Sequence, residues 1–342
     1  MYRFFVETKI FATILRFIMK KIIALSFIPL MLSASAFAYD YYGFKNNSEN
    51  TEGAHDVKFS EVKWYNSYQQ QALPAKGVPG KNDMAFIRGG DIITLDKDLQ
   101  VKTLELEGGN LFEVDGKKLD VVVVNSFATY SSGTTTALSA KKNGVANVKV
   151  FKGQVRGGIM RDCNYGKVTL EVSNGTINIL NTMSFLVEAM GEPKELDEAS
   201  GLGFILEGKG VINLKGALIL DAMFTTNPER FECLLSFKDK GGFLPSLFVY
   251  NSKVDFQNPR IKVRINSKTK PGLYPLLVVE TSAKPKGKFD KVTINNKKVT
   301  IGGDAVKLYG KEVKLMWGAA ANGKDKRTAN DLILQVSQPE EK

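Results

Sequence analysis

One pattern constrains this chain more than any other. G-x-x-N-aliphatic recurs at Gly144-Val145-Ala146-Asn147-Val148, Gly175-Thr176-Ile177-Asn178-Ile179 and Gly210-Val211-Ile212-Asn213-Leu214. The glycines stand 31 and 35 residues apart, and Gly109 precedes Gly144 by a further 35 but has Phe112 where the asparagine would be. Met183/Leu218 and Phe185/Leu220 keep the same 35-residue offset. A unit repeated at this period points to stacked coils, because one coil cannot bury its apolar face alone. In such a stack glycine takes the φ > 0 corner, the asparagines form a ladder of amide hydrogen bonds, and the aliphatic neighbours fill the interior. Gly109, Gly144, Gly175 and Gly210 then mark one edge of a right-handed parallel β-helix.

The flanking sequence agrees with an all-β chain. DIITL (91–95), VKTLELE (101–107), KLDVVVV (118–124), VANVKVF (145–151), KVTLEV (167–172), GTINIL (175–180) and GVINLKGALIL (210–220) alternate apolar and polar residues and are rich in β-branched side chains. Only residues 182–199 suit a short helix. A nearly helix-free chain is a barrel, a sandwich or a solenoid, and the repeat selects the solenoid. Residues 39–63 read as an irregular N-terminal arm and 64–250 as the β-helix. Residues 251–342 carry longer alternating strands joined by Lys/Gly/Asn turns, the pattern of antiparallel hairpins. An antiparallel β cap over the last coil and a separate small sandwich both fit them.

Residues 19–38, MKKIIALSFIPLMLSASAFA, have the three parts of an export signal. Lys20 and Lys21 are the positive start, Ile22 to Leu32 the apolar run, and Ala36-Phe37-Ala38 the small-residue cleavage site. Cleavage after Ala38 leaves Tyr39 first, and Met19 is the expected start. A membrane anchor needs about 20 apolar residues, roughly twice this run. The expected location is secreted, periplasmic or at the cell surface, with no transmembrane segment in the mature chain.

Charge is unevenly placed. The whole chain is +11, yet residues 39–260 hold 25 Lys/Arg against 27 acids, while residues 261–327 hold 16 against five. Lys284, Lys286 and Lys288 alternate around Pro285 and Gly287, so an extended backbone would aim them to one side as a row for a polyanion. A solvated lysine face that protects an edge strand is the other reading. No aromatic residue interleaves the lysines before Phe289, which argues against a nucleic-acid platform. Cys163 and Cys233 could pair in an oxidising compartment or stay as two buried thiols; spacing alone does not decide.

Catalytic signatures are thin. His55 is the only histidine, and it lies in the arm, so triads and multi-histidine metal sites lack their parts. Asp96/Asp98 and Glu105/Glu107 have the i, i+2 spacing of one strand face. Arg156, Arg161 and Asp162 beside Cys163 are the best lyase-like cluster, although a structural surface cluster accounts for them as well. Thr134-Thr135-Thr136 with Ser131-Ser132 reads as a polar loop. No cofactor and no metal is expected.

Trp64, then Pro79-Gly80-Lys81-Asn82-Asp83-Met84-Ala85-Phe86-Ile87, resembles the entry segment of a known family. The stretch Ile92–Val124 resembles its first rungs, and Gly272-Leu273-Tyr274-Pro275-Leu276-Leu277 with Gly287-Lys288-Phe289 its closing strands. The chain thus resembles secreted bacterial β-helix proteins with autotransporter-passenger-like (autotransporter-associated β-strand) repeats. The resemblance implies a right-handed β-helix and a surface or secreted role. The family's classical members end in a membrane β-barrel, whereas this chain ends in a polar PEEK tail. Two functions follow as expectations. One is a non-catalytic, adhesion-type surface solenoid that binds acidic polysaccharide, cell-envelope glycans or partner proteins. The other is a β-helical polysaccharide lyase or glycoside hydrolase acting on an acidic polysaccharide.

Overall fold

In the computed structural model the described residues are 40–44, 56–65, 77–88, 92–129, 135–156, 167–188, 200–221, 231–251, 256, 259–280, 287–318 and 330–338. The chain separates at Ala38/Tyr39 into two units, and every described residue lies in the second. Its first strands are β1 (Asp40–Phe44), β2 (Asp56–Lys58), β3 (Trp64–Tyr65), β4 (Met84–Arg88), β5 (Ile92–Thr94), β6 (Leu99–Glu107), β7 (Leu111–Asp115) and β8 (Lys118–Thr129). The middle holds β9 (Thr135–Lys141), β10 (Val145–Arg156), β11 (Lys167–Ser173), β12 (Thr176–Glu188), β13 (Ser200–Glu207), β14 (Val211–Leu214), β15 (Ala217–Asp221) and β16 (Phe231–Lys238). The last are β17 (Ser246–Val249), β18 (Pro259–Arg264), β19 (Gly272–Val279), β20 (Lys291–Ile294), β21 (Lys297–Lys298), β22 (Val306–Leu308), β23 (Lys311–Gly318) and β24 (Asp331–Ser337).

From β4 to β20, apart from the β14/β15 pair, successive strands alternate between two sheets. The first runs β3-β1-β4-β6-β8-β10-β12-β14-β17-β19-β24-β23-β22, with β15 also on β12, and the second runs β2-β5-β7-β9-β11-β13-β16-β18-β20-β21. Neighbours along β6-β8-β10-β12-β14-β17 and along β5-β7-β9-β11-β13-β16-β18-β20 are all parallel. Each turn of chain therefore lays one strand in each sheet, which is the stacked-coil architecture of a parallel β-helix. Val145 pairs Thr176 and Thr176 pairs Val211, so the repeat offsets in the sequence are the coil lengths.

The interior is built as columns. Phe112, Leu138, Leu170, Phe204, Leu235, Ile261 and Val292 share one register position of the second sheet, and all are buried. Leu119, Ala146, Ile177, Ile212, Leu247 and Leu277 do the same in the first sheet. Burying each leucine, isoleucine or phenylalanine contributes about 1.5–3 kcal/mol. At the N-terminal end the Phe59 ring lies 5.0 Å from Trp64 and 5.9 Å from Phe112.

Several expectations need correction. Gly144, Gly175 and Gly210 do not hold the left-handed conformation. That belongs to residues just before them: Asn143 at φ 67°, Asn174 at φ 55° and Gly208 at φ 64°. The repeat glycines are required by proximity instead. A Cβ at Gly144 would lie 1.8 Å from the Val114 carbonyl oxygen, and one at Gly175 would lie 2.4 Å from that of Ala140. Gly109 does hold the left-handed conformation, at φ 88°, but at a different corner, between β6 and β7, because the coil there is shorter: Val145 pairs Lys118, 27 residues earlier.

The arm expected at 39–63 is not wholly irregular, since β1 pairs β4 and β2 pairs β5 in parallel. Within the expected helix, Thr182–Glu188 are strand, and 189–199 lie outside the described residues. Parallel stacking also continues past residue 250 through β18, β19 and β20. Antiparallel pairing enters with β24 on β19, β23 on β24, β22 on β23 and the β20/β21 hairpin. Alternating apolar residues look the same in a parallel rung and in a hairpin, which is why composition placed the change too early.

Candidate binding faces

On the outside of the first sheet one register position carries Gln100, Asp120, Asn147, Asn178 and Asn213. Their side chains form a directional chain. Asn213 Nδ2 donates to Asn178 Oδ1 at 2.7 Å, Asn178 Nδ2 to Asn147 Oδ1 at 2.7 Å, and Asn147 Nδ2 to Asp120 Oδ1 at 2.8 Å. Gln100 Nε2 reaches the other Asp120 oxygen at 3.4 Å, and Lys118 Nζ lies 2.9 Å from it. A run of amides pointing one way is polarised along its length and aims its N–H ends at the carboxylate. Burial pushes the Asp120 carboxyl up, but hydrogen bonds from Asn147, Lys118 and Gln100 outweigh it and hold the group below the ordinary aspartate range.

The ladder is bordered by a bend. Val122, Lys149, Leu180, Asn181, Lys215 and Tyr250 are exposed along it. Gly216 makes this turn possible, because a Cβ there would fall 1.2 Å from the Asn181 carbonyl oxygen. In the rung after Asn213 the register position passes to Phe248, whose ring stacks on Tyr250 at 6.3 Å and 20°. Tyr250 Oη reaches Asn213 Oδ1 at 3.5 Å. Each ladder amide keeps one N–H and one acceptor lone pair beyond those used in the chain. The result is a strip of outward hydrogen-bonding groups repeating at about 4.8 Å, with an aromatic plate at one end.

The second sheet presents charge. Glu207 receives Lys238 Nζ at 2.7 Å, Lys240 Nζ at 3.2 Å and the Ser173 hydroxyl at 3.0 Å. Burial raises its pKa, yet these three hydrogen bonds together hold it below the ordinary glutamate range. Lys141 pairs Glu113, and Lys142 pairs Asp115 at 2.7 Å. Toward the C-terminal rungs the balance turns positive. Arg260, Lys262 and Arg264 alternate with the buried Ile261 and Val263 on β18, so all three face outward. Arg260 sits opposite Lys291 on β20, and Arg264 opposite Lys238 on β16. Burial, then the like charges of Arg260, Lys167 and Arg264 against one attraction from Glu232, lower the Lys262 pKa below the usual lysine value.

The residues singled out from the sequence fare unevenly. Lys288 is exposed and pairs with Asp290 at 3.1 Å; Lys284 and Lys286 lie outside the described residues. Cys233 is a free thiol, wholly buried, and desolvation with the neighbouring Glu232 charge pushes its pKa far up. Its expected partner Cys163 lies outside the described residues, as do His55, Arg161, Asp162 and the leader with its cleavage site after Ala38. Arg156 is the last residue of β10. Asp96 and Asp98 do not share a strand face: both lie in the link between β5 and β6. Asp96 accepts the Ser60 N–H at 3.1 Å and Asp98 the Lys118 N–H at 2.9 Å, so each ties one coil to another.

Glu105 and Glu107 do share the outer face of β6, where Asn125 donates to Glu105 at 3.3 Å. Of the expected polar loop, Thr135 and Thr136 instead open β9, and the buried Thr136 hydroxyl donates to the Phe127 carbonyl at 2.8 Å; Ser131, Ser132 and Thr134 lie outside the described residues. Among the described residues no three His, Cys, Asp or Glu side chains gather as a metal site, and no helix is long and apolar enough to cross a membrane. Sequence reasoning missed the β18 cations and the Phe248/Tyr250 plate. The alternation in PRIKVR was the available signal for the first; nothing marked the second. No family model, curated protein or solved structure matches the chain.

Proposed function

We propose that this protein is an exported, non-catalytic β-solenoid that acts at the cell surface or in the surrounding space as an adhesion-type binding protein. Its resemblance to autotransporter-passenger-like repeat proteins and the signal-like residues 19–38 support export. The observation that carries the binding role is the amide strip from Asp120 to Asn213 ending on the stacked Phe248/Tyr250 pair. Flat rows of paired donor and acceptor groups with an aromatic plate suit sugar hydroxyls and the apolar faces of pyranose rings. They supply many weak contacts rather than one deep pocket. Glycans of the cell envelope or partner proteins are the ligands this face fits.

Two measurements test the reading. N-terminal sequencing of the exported protein should begin at Tyr39; recovery only in the cytoplasm with residues 1–38 intact removes the location. Retention on immobilised neutral glycans should fall for Tyr250→Ala without loss of fold. Unchanged retention, or none for the wild type across the panel, removes the binding role.

The polysaccharide lyase reading draws on the outward cations Arg260, Lys262 and Arg264 of β18 as groups suited to the carboxylates of an acidic polysaccharide. Incubation with polyuronates, followed by absorbance at the wavelength of the unsaturated product, separates the two readings. Sustained turnover would replace the non-catalytic role.

A further inference from the structure

We propose that Arg260, Lys262 and Arg264 of β18, with Lys291 of β20, form a second binding site, for an acidic polysaccharide, on the outer face of the second sheet. This site is separate from the amide strip and does not use Lys284, Lys286 or Lys288, where the sequence placed its cationic row.

The backbone sets the spacing. Alternate residues of a strand are about 6.6 Å apart, and neighbouring strands about 4.8 Å. Three cations therefore run along β18, and Lys291 extends the row sideways at the register of Arg260. Acids neutralise only one end of this row. Arg260 Nε lies 2.7 Å from Glu232 Oε1 as an ion pair. Among the described residues no carboxylate lies within ion-pairing distance of Lys262 or Arg264.

Arg264 and Lys291 are exposed, whereas Lys262 is half-buried. Apart from Glu232, the neighbouring outward positions are neutral or cationic: Leu234 and Ser236 on β16, Thr293 on β20, and Lys238 opposite Arg264. They add no negative charge to repel a polyanion. Like charges held this close repel one another, and burial first, then that repulsion, lowers the Lys262 pKa. A rigid sheet that holds unneutralised cations together gains free energy when a multivalent anion arrives. No aromatic side chain occupies these outward positions, and a single-stranded nucleic acid would want such a stacking surface. The chemistry thus favours repeated carboxylates or sulfates on sugars.

The test uses the purified full chain with polygalacturonate as the carboxylate polymer, dextran sulfate as the sulfate polymer, and uncharged dextran and single-stranded DNA as comparisons. Wild-type protein should bind one or both acidic polysaccharides, and raising NaCl from 50 to 500 mM should weaken that binding by about tenfold or more. The triple variant Lys262→Gln/Arg264→Gln/Lys291→Gln should lose at least about tenfold in affinity, while keeping its urea midpoint. The matching Lys262→Arg/Lys291→Arg variant should retain binding, which separates charge from fold. The proposal is overturned by salt-insensitive binding, by undiminished binding in a folded triple variant, or by DNA binding as tight as that of the acidic polysaccharides. Loss of retention in Tyr250→Ala bears on the amide strip alone, so the two sites fail separately.

Discussion

Asn178 donates its side-chain amide to Asn147 at 2.7 Å, one coil away, at a register position the backbone ladder makes equivalent. Asn178 also accepts from Asn213 at 2.7 Å, so it sits in mid-ladder with both its groups engaged. Replacing Asn178 by Ala removes two hydrogen bonds and strands a donor and an acceptor. Replacing Asn213, nearer the end, breaks one short bond. At about 1 kcal/mol per bond, Asn178→Ala should cost about 2 kcal/mol and Asn213→Ala about half as much. Urea unfolding of the two variants decides it, and equal costs would show that the ladder does not act as a chain.

The corner glycines are a steric requirement. Gly175→Ala forces a methyl into the Ala140 carbonyl at 2.4 Å, and since that atom is backbone, a rung must move. The expected loss is about 2–3 kcal/mol. Asn143, at φ 67°, holds the conformation glycine prefers, so Asn143→Gly should stay within about 1 kcal/mol of the wild type. Thermal unfolding that reversed this order would return the glycines to the role of left-handed corners.

Acid should loosen the second sheet through Glu207. Its pKa is below the ordinary glutamate value of 4.5 because Lys238, Lys240 and Ser173 together outweigh burial. A carboxylate depressed by folding stabilises the protein above its unfolded pKa, and that contribution is lost as pH falls through the folded value. The urea midpoint should therefore drop as pH is lowered below about 4.5, and Glu207→Gln should flatten part of that drop. A variant that follows the wild-type curve throughout would mean these hydrogen bonds contribute nothing.

Cys233 lies in the interior with a strongly raised pKa, so its thiolate is scarce and shielded. In a Cys163→Ser background it should resist iodoacetamide at pH 8 in the native state and react fully in denaturant. Fast native labelling would contradict its place inside the coil.

The sequence carried the middle coils clearly and the rest less so. Asn147, Asn178 and Asn213 were legible because each is forced to the same register by coils of 31 and 35 residues. Gly109 misled because the coil from Lys118 to Val145 is 27 residues long, and a fixed offset fails once coil length changes. The glycine mechanism was hidden for another reason. A carbonyl of the previous coil, such as that of Val114 below Gly144, is a neighbour in space about 30 residues away. Charge told a similar story: the C-terminal excess was plain, but only the burial of Ile261 and Val263 fixes which face the β18 cations occupy.

Disulfide trapping between rungs tests the stacked-coil account most directly. In a Cys163→Ser/Cys233→Ala background, adjacent rungs put residues 147 and 178 about 4.8 Å apart at Cα, within disulfide range, and residues 147 and 213 about 9.6 Å apart, beyond it. Mild oxidation should close the bond in Asn147→Cys/Asn178→Cys and leave Asn147→Cys/Asn213→Cys reduced. Closure of the second pair, or failure of the first in folded protein, would contradict the order of the coils.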